Sequence, residues 1–334
     1  MPPDQLLLAS WPALGELLGD LKALRPGEAA SPRVQDRLRQ VLGSVGASLA
    51  SRSAEERRSC RERILEELNP LVGSSGLLLV VRERSLAGAR NFRVLRRAQQ
   101  NRPRGCGPAA QAFDRFLLST HALSALRARR HFFRRELCYR FRRAPLDRPF
   151  RVLSYGSGPG QELIEFLRDI GPAAGRLEAT LLDGDADSLR HARAQADRTG
   201  NGACLMTRRT DPVRAALLGE DQRLAGQDFV YAPCLFDFLP DEVAAACMSF
   251  IYRLLSERGQ FFLAHYHRDL TIVDRTVLEW WLEWYPYFRT PRGVAKLLQW
   301  SVKDRGCAVG LVRGPNVYLV VGRASSRTGG GSIQ

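Results

Sequence analysis

The chain has 334 residues, 45% of them hydrophobic, enough for one large domain or two of ordinary size with a proper core. Its net charge of +15 raises nucleic-acid or anionic-membrane partners, but Lys22, Lys296 and Lys303 are the only lysines, and such an arginine bias is what a GC-rich genome gives through codon usage. No apolar run approaches a membrane span, no basic stretch precedes Leu6-Leu7-Leu8 as in a secretory leader, and the cysteines lie singly without a Cys-x-x-Cys pair, so neither a zinc site nor a disulfide framework is expected and a cytoplasmic protein is.

Residues 1–100 read as a helical domain. Leu14, Leu17, Leu18 and Leu21 share one helical face, with Ser10 ahead of Pro12 as the start. Ser31-Pro32 opens a second helix, serine as N-cap and proline at its first position. Val34, Leu38, Val41, Leu42, Val45 and Leu49 form its apolar stripe. Ser53 and Glu56 make a capping box for a third helix through Leu68, which Pro70 and Gly73-Ser74-Ser75-Gly76 are expected to end. Residues 77–97 lean towards helix. Residues 101–149 then read as a linker, Asn101 to Pro108, followed by one long helix from Gln111 to Phe141. That helix carries Arg127, Arg129, Arg130, Arg134, Arg135 and Arg140, with Arg142 and Arg143 just beyond. A solvated face is the default reading of such a run. The functional reading is a wall for an anion, since guanidinium groups hold two oxygens at once.

From residue 150 the pattern alternates strand and helix through residue 265, which implies a parallel sheet with helices on both faces, so the fold class is α/β. Residues 150–324 form this domain, and 325–334 read as a disordered tail. Arg151 to Gly160 reads RVLSYGSGPG: a short buried strand, then Gly156, Gly158 and Gly160 at alternate positions, then a helix start. Glycine there allows a sharp turn and close approach of a ligand to the backbone. Roughly twenty residues further on, a second strand ends in Asp183-Gly184-Asp185, where a carboxylate can accept bonds from ribose hydroxyls. Asp228 to Ala232 is a further strand that runs into Pro233-Cys234-Leu235-Phe236-Asp237. His265-Tyr266-His267 follows the fifth strand. Residues 271–300 are rich in aromatics, and 307–313 with 316–322 read as a closing hairpin.

The segments VLSYGSGPG, LLDGDADSL and DFVYAPCLFDFLPDE resemble the donor-binding motifs of class I S-adenosylmethionine (SAM) methyltransferases. The resemblance covers about Phe150 to Arg323, and it implies a Rossmann-like sheet and SAM as cofactor. Gly156, Gly158 and Gly160, flanked by Tyr155, would pass under the donor. Asp183, with Asp185, would take its ribose, Asp211 its adenine amine, and Ala232 would border it. Methyltransferases of this class commonly place N-terminal helices over the site as a lid. LFDFLPD and WLEWYPYFRTPRGVAKLL further resemble bacterial enzymes that methylate 3-hydroxy fatty acids.

The acceptor is expected to be a small or lipidic acid. His265 or His267 would serve as general base for a hydroxyl or amine. Arg289 or Arg130 would align a carboxylate, with Tyr266 beside it. Ala232-Pro233-Cys234 lacks the Asn/Asp-Pro-Pro-aromatic signature of base methylation. An RNA methyltransferase, from the charge, and a non-catalytic SAM-binding regulator are the alternatives.

Overall fold

The computed structural model describes residues 3–87, 92–219, 222–302, 306–313 and 316–323. The expected disordered tail lies outside them. In chain order the helices before the sheet are α1 (Pro3–Ala23), α2 (Pro32–Leu49), α3 (Ala54–Val72), α4 (Gly76–Ala87), α5 (Phe92–Gln100), α6 (Pro108–Ser119) and α7 (His121–Arg143). Then come β1 (Phe150–Tyr155), α8 (Gln161–Ile170), β2 (Leu177–Asp183), α9 (Ala186–Asp197), β3 (Leu205–Arg209), α10 (Pro212–Leu218), β4 (Gln227–Ala232), α11 (Asp241–Leu254) and β5 (Leu255–Tyr266). The chain closes with α12 (Ile272–Thr276), α13 (Pro291–Ser301), β6 (Gly306–Arg313) and β7 (Asn316–Arg323).

The chain divides into two compact units. One holds residues 1–128 with 269–285, and the other residues 129–268 with 286–334. The aromatic stretch that reads as one piece in the sequence is therefore split, its tryptophan-rich half belonging to the helical unit.

In the helical unit the stripe on α2 is buried as its spacing predicts, from Val34 to Leu49, and the Ser53–Glu56 capping box is present. Two prolines do not bound helices as expected. Pro12, read as part of a helix start, lies inside α1, and Pro70, read as a helix end, lies inside α3, since a proline deletes one backbone donor and can kink a helix without stopping it. The helix expected from Gln111 to Phe141 is two helices, broken at Thr120, whose backbone is extended. The break is held by Asp274, whose carboxylate accepts from the Ala122 amide at 3.0 Å and, within its own capping box, from the Thr271 amide at 3.1 Å. A cap from a residue so distant in sequence leaves no local signal. Trp280 and Trp281 are buried here, and the Trp281 ring meets Phe113 edge-on at 5.5 Å.

In the other unit the strands form one sheet in the order β3-β2-β1-β4-β5-β7-β6. The first five are parallel, and β7 and β6 are antiparallel. This is a doubly wound parallel sheet with an antiparallel pair at one edge, the α/β architecture expected from the alternation of strands and helices. Side chains alternate across it. Val152, Phe229, Tyr231 and Phe262 pack on one face with Phe133, Leu137, Leu163 and Phe166 of α7 and α8. Leu153, Tyr155, Val230 and Phe261 pack on the other with Phe250, Ile251 and Leu297 of α11 and α13. The chain leaves β1 towards β2 on one side and reaches β4 on the other, so a crevice opens between the carboxyl ends of β1 and β4.

Candidate functional site

The glycine turn at the end of β1 is built as its spacing predicts. Gly156, Gly158 and Gly160 all have left-handed backbones, with φ of 65°, 53° and 55°. The Gly156 and Ser157 amides donate to the Leu182 carbonyl at 2.9 and 3.1 Å, which ties the turn to β2. A Cβ at Gly156 would sit 2.8 Å from Leu235 Cβ, and one at Gly160 would sit 2.9 Å from Leu181 Cδ1. Glycine is thus needed for conformation and for space.

Asp183 stands at the tip of β2 beside this turn. Its Oδ2 accepts from the Gly158 amide at 2.8 Å and its Oδ1 from the Asp185 amide at 2.9 Å. Each carboxylate oxygen accepts two bonds, so bracing the turn is compatible with receiving sugar hydroxyls. Asp185 caps α9, its Oδ1 accepting from Asp187 and Ser188 amides at 2.9 and 3.2 Å. Asp211 caps α10 in the same way, accepting from Val213 and Arg214 at 2.9 and 3.2 Å. Ala232 ends β4, buried. Tyr155 faces the core, and its hydroxyl donates to the Pro212 carbonyl. Burial pushes that hydroxyl's pKa well up, so it locks β1 to α10 rather than facing the crevice.

The expected acceptor groups are placed differently. His265 is 1% exposed, and burial pulls its pKa down to about 4. Its Nδ1 lies 3.0 Å from the Tyr266 carbonyl and its Nε2 lies 2.7 Å from Arg289. Arg289 has no acceptor, so it donates to Nε2, and the proton of the neutral ring sits on Nδ1. The lone pair a general base needs is already taken.

Arg289 is equally committed. Its NH1 also donates to the Phe236 carbonyl at 3.0 Å, and its NH2 donates to the Leu239 carbonyl at 2.6 Å. Its Nε and NH2 both reach Asp241 Oδ1, at 3.0 and 2.7 Å. All five N–H groups are engaged within the protein, so Arg289 closes the loop after β4 and does not present a fork to a substrate carboxylate. Tyr266 is buried, its ring 4.3 Å from the Arg129 guanidinium carbon. His267 is half-buried and bridges Arg289 through the backbone. Arg130 Nε lies 3.5 Å from Glu165 Oε2.

The arginine run is not one solvated face. Arg129 is fully buried and pairs with Asp237, and its Nε donates to Asn316 Oδ1 at 2.7 Å. Arg134 pairs with Asp169 at 2.6 Å. The Arg140 guanidinium carbon lies 4.4 Å from the Phe262 ring centre. Helical periodicity held the signal for Arg129: it falls four residues before the buried Phe133, on the inward face. Glu162, second in α8, is another buried charge that the sequence reading passed over, as are Asp114, Asp237 and Asp274.

No protein-family model matches the chain, and no curated protein does. Among solved structures it is similar to a possible exported protein from Bordetella parapertussis, at 17% identity and a TM-score of 0.55, over 97% of each chain. That likeness is one of fold. It is similar at 16% identity to the citrinin polyketide synthase CMeT domain, over 88% of this chain and 70% of that one, with a TM-score of 0.49. It is also similar at 16% identity to the magnesium protoporphyrin IX methyltransferase from Synechocystis with bound SAM, over 61% of this chain and 84% of that one, with a TM-score of 0.43.

Proposed function

We propose that this protein is a SAM-dependent methyltransferase that methylates an oxygen of a small or lipidic carboxylic acid, for which a 3-hydroxy fatty acid is the candidate. The observation that carries the donor assignment is the left-handed glycine turn braced on Asp183 at the carboxyl end of a doubly wound sheet. Together they offer a side-chain-free floor with an acidic tip beside it, and both fit a nucleoside.

Bound there, SAM would supply a methyl group already activated by its sulfonium. The methyl carbon would pass to a lone pair of the acceptor, with the sulfur–carbon electron pair going to sulfur. The chain's part is positioning and exclusion of water. Asp183 would hold the sugar, and the turn would fix the donor's height above β1. A carboxylate acceptor is supported by the state of His265: such an acceptor is ionised near neutrality and needs no base, and the lone pair of this histidine is held by Arg289. His267 and Arg130 are the remaining candidates for contact with the acceptor.

The internal engagement of Arg129, Arg140 and Arg289 removes part of the charge argument for RNA. Incubation with methyl-labelled SAM and a cell extract tests the assignment. Label in organic-soluble esters supports it, and label that precipitates with nucleic acid overturns it.

A further inference from the structure

Packing explains most of the aromatic stretch in the helical unit but not its end. Trp281 and Trp284 are buried, whereas Tyr285 beside them is 63% exposed. The backbone there is irregular. α12 runs on into one turn of π-helix, Val277–Trp281. The Leu282 amide then donates to the Val277 carbonyl at 3.2 Å, and the Trp284 amide to the Leu278 carbonyl at 2.8 Å. Glu283, between them, has a left-handed φ of 50°. A glutamate takes that conformation only where its surroundings impose it. Both kinds of irregularity gather at ligand sites.

Beside this turn, and within the same unit, lies a cavity of about 440 Å³ lined by Arg57, Arg58, Arg61, Glu279, Trp280 and Tyr285. Its size is that of a small-molecule pocket. The arginines stand three and four residues apart near the start of α3, and so share one face. Arg61 is anchored by the π turn. Its Nε and NH2 donate to the Trp280 carbonyl at 3.2 and 2.9 Å, and NH2 also reaches Glu283 Oε1 at 3.4 Å. Arg57 lies near Glu279. Arg58 is exposed and has no ion-pair partner among the described residues.

The lining thus sets three guanidinium groups against one carboxylate. Burial raises the pKa of that carboxyl, Glu279, so it opposes an anion less than an exposed acid would. A guanidinium holds two oxygens of a phosphate or carboxylate at once. Tyr285 adds an open ring face at the rim, against which a flat ring can stack. A bare inorganic ion would leave the aromatics unused, and a neutral ring would leave the charge unanswered. We propose that this cavity binds a small aromatic oxyanion, its phosphate or carboxylate on Arg57 and Arg58 and its ring against Tyr285. The site lies wholly in the helical unit and does not rest on the donor reading.

Four probes separate the two halves of this claim. 1-Naphthyl phosphate and 1-naphthoate carry an anion and a ring, inorganic phosphate carries the anion alone, and 1-naphthol the ring alone. Calorimetric titration into the full chain should show one of the aromatic anions binding about ten-fold or more tighter than either half. The tighter of the two identifies the oxyanion. Arg57→Gln combined with Arg58→Gln should weaken it about five-fold or more. Tyr285→Ala should weaken it about three-fold or more and narrow its advantage over inorganic phosphate. Glu279→Gln, which frees Arg57 from the lining carboxylate, should tighten it. Arg57, Arg58 and Tyr285 are exposed, so these variants should keep the wild-type unfolding transition. Binding of neither aromatic anion overturns the site. So does affinity that is undiminished in the arginine pair or in Tyr285→Ala. Displacement of the probe by S-adenosylhomocysteine would place it in the donor crevice and overturn the site as well.

Discussion

Arg129 and Asp237 form an ion pair with both side chains 1% exposed, and they bind together parts of the sheet unit that are far apart in sequence. Asp237 Oδ1 also accepts from the Tyr266 amide at 2.8 Å, and the Asp237 carbonyl accepts from the Tyr287 amide at 2.7 Å. Arg129 further donates to Asn316 and to the Pro233 carbonyl. The ends of β4, β5 and β7 are thus joined at one charge pair. Removing one partner leaves the other buried and uncompensated, which costs about 3–5 kcal/mol. Asp237→Asn should lower unfolding stability by that order in a urea titration. Arg129→Met combined with Asp237→Leu should cost less than the two single changes added together. Additive losses would show that the two residues act separately.

Asp183 has two tasks, and its substitution should show both. Asp183→Ala removes the acceptor for the Gly158 amide as well as the proposed ribose contact. S-adenosylhomocysteine affinity should fall at least ten-fold by calorimetry. A loss of about 1–2 kcal/mol in stability, from the unpaired amide, should accompany it. Undiminished affinity would count against the ribose assignment.

The turn glycines can be ranked. Gly156→Ala meets Leu235 Cβ at 2.8 Å with φ of 65°, so crowding adds to backbone strain. Gly219 has the same φ of 65° in the left-handed region with nothing within 4 Å of an added Cβ, so Gly219→Ala incurs strain alone, about 1–2 kcal/mol. Gly156→Ala should cost more than Gly219→Ala in thermal or chemical unfolding, by a further ~1–3 kcal/mol. The opposite order would contradict the packing of Leu235 on the turn.

His265 ties stability to acid. Its folded pKa of about 4 lies below the ordinary 6.5. The unfolded chain therefore takes up the proton first as pH falls, and the folded state loses ground between about 6.5 and 4. The loss reaches about 3 kcal/mol at the low end. His265→Gln should flatten the fall in unfolding free energy over that window, compared with wild type. Parallel curves would mean the ring is not held neutral.

Glu162 has the opposite dependence. Its folded pKa, raised to about 7 from 4.5, means that its contribution is intact below 4.5 and is lost as pH rises through 7. Glu162→Gln should therefore stabilise the ligand-free protein at pH near 8.5 relative to pH near 5, by up to about 3 kcal/mol. Calorimetric unfolding at the two pH values checks this. An unchanged difference would mean that the carboxyl is not desolvated.

The sequence by itself determined most of the local elements and the glycine turn after β1. Alternating Gly156, Gly158 and Gly160 after an apolar strand admit few backbones, because only glycine is at ease at such φ values. Asp183 at the end of the next apolar run and the stripe on α2 were legible for the same reason: each is set by neighbours a few residues away. The tertiary structure alone decided the state of the polar side chains. His265 and Arg289 read as catalytic from their place after a strand and in an aromatic segment, but the carbonyls and carboxylate that engage them come from the loop after β4 and the start of α11. Arg129 read as one of many surface arginines until the fold set Asp237 and Asn316 against it. The cap at Thr120–Ala122 and the division of residues 271–300 between two units were hidden likewise, because their partners are distant in the chain. A residue's type fixes what bonds it can make, and only the folded chain fixes which of them are already made.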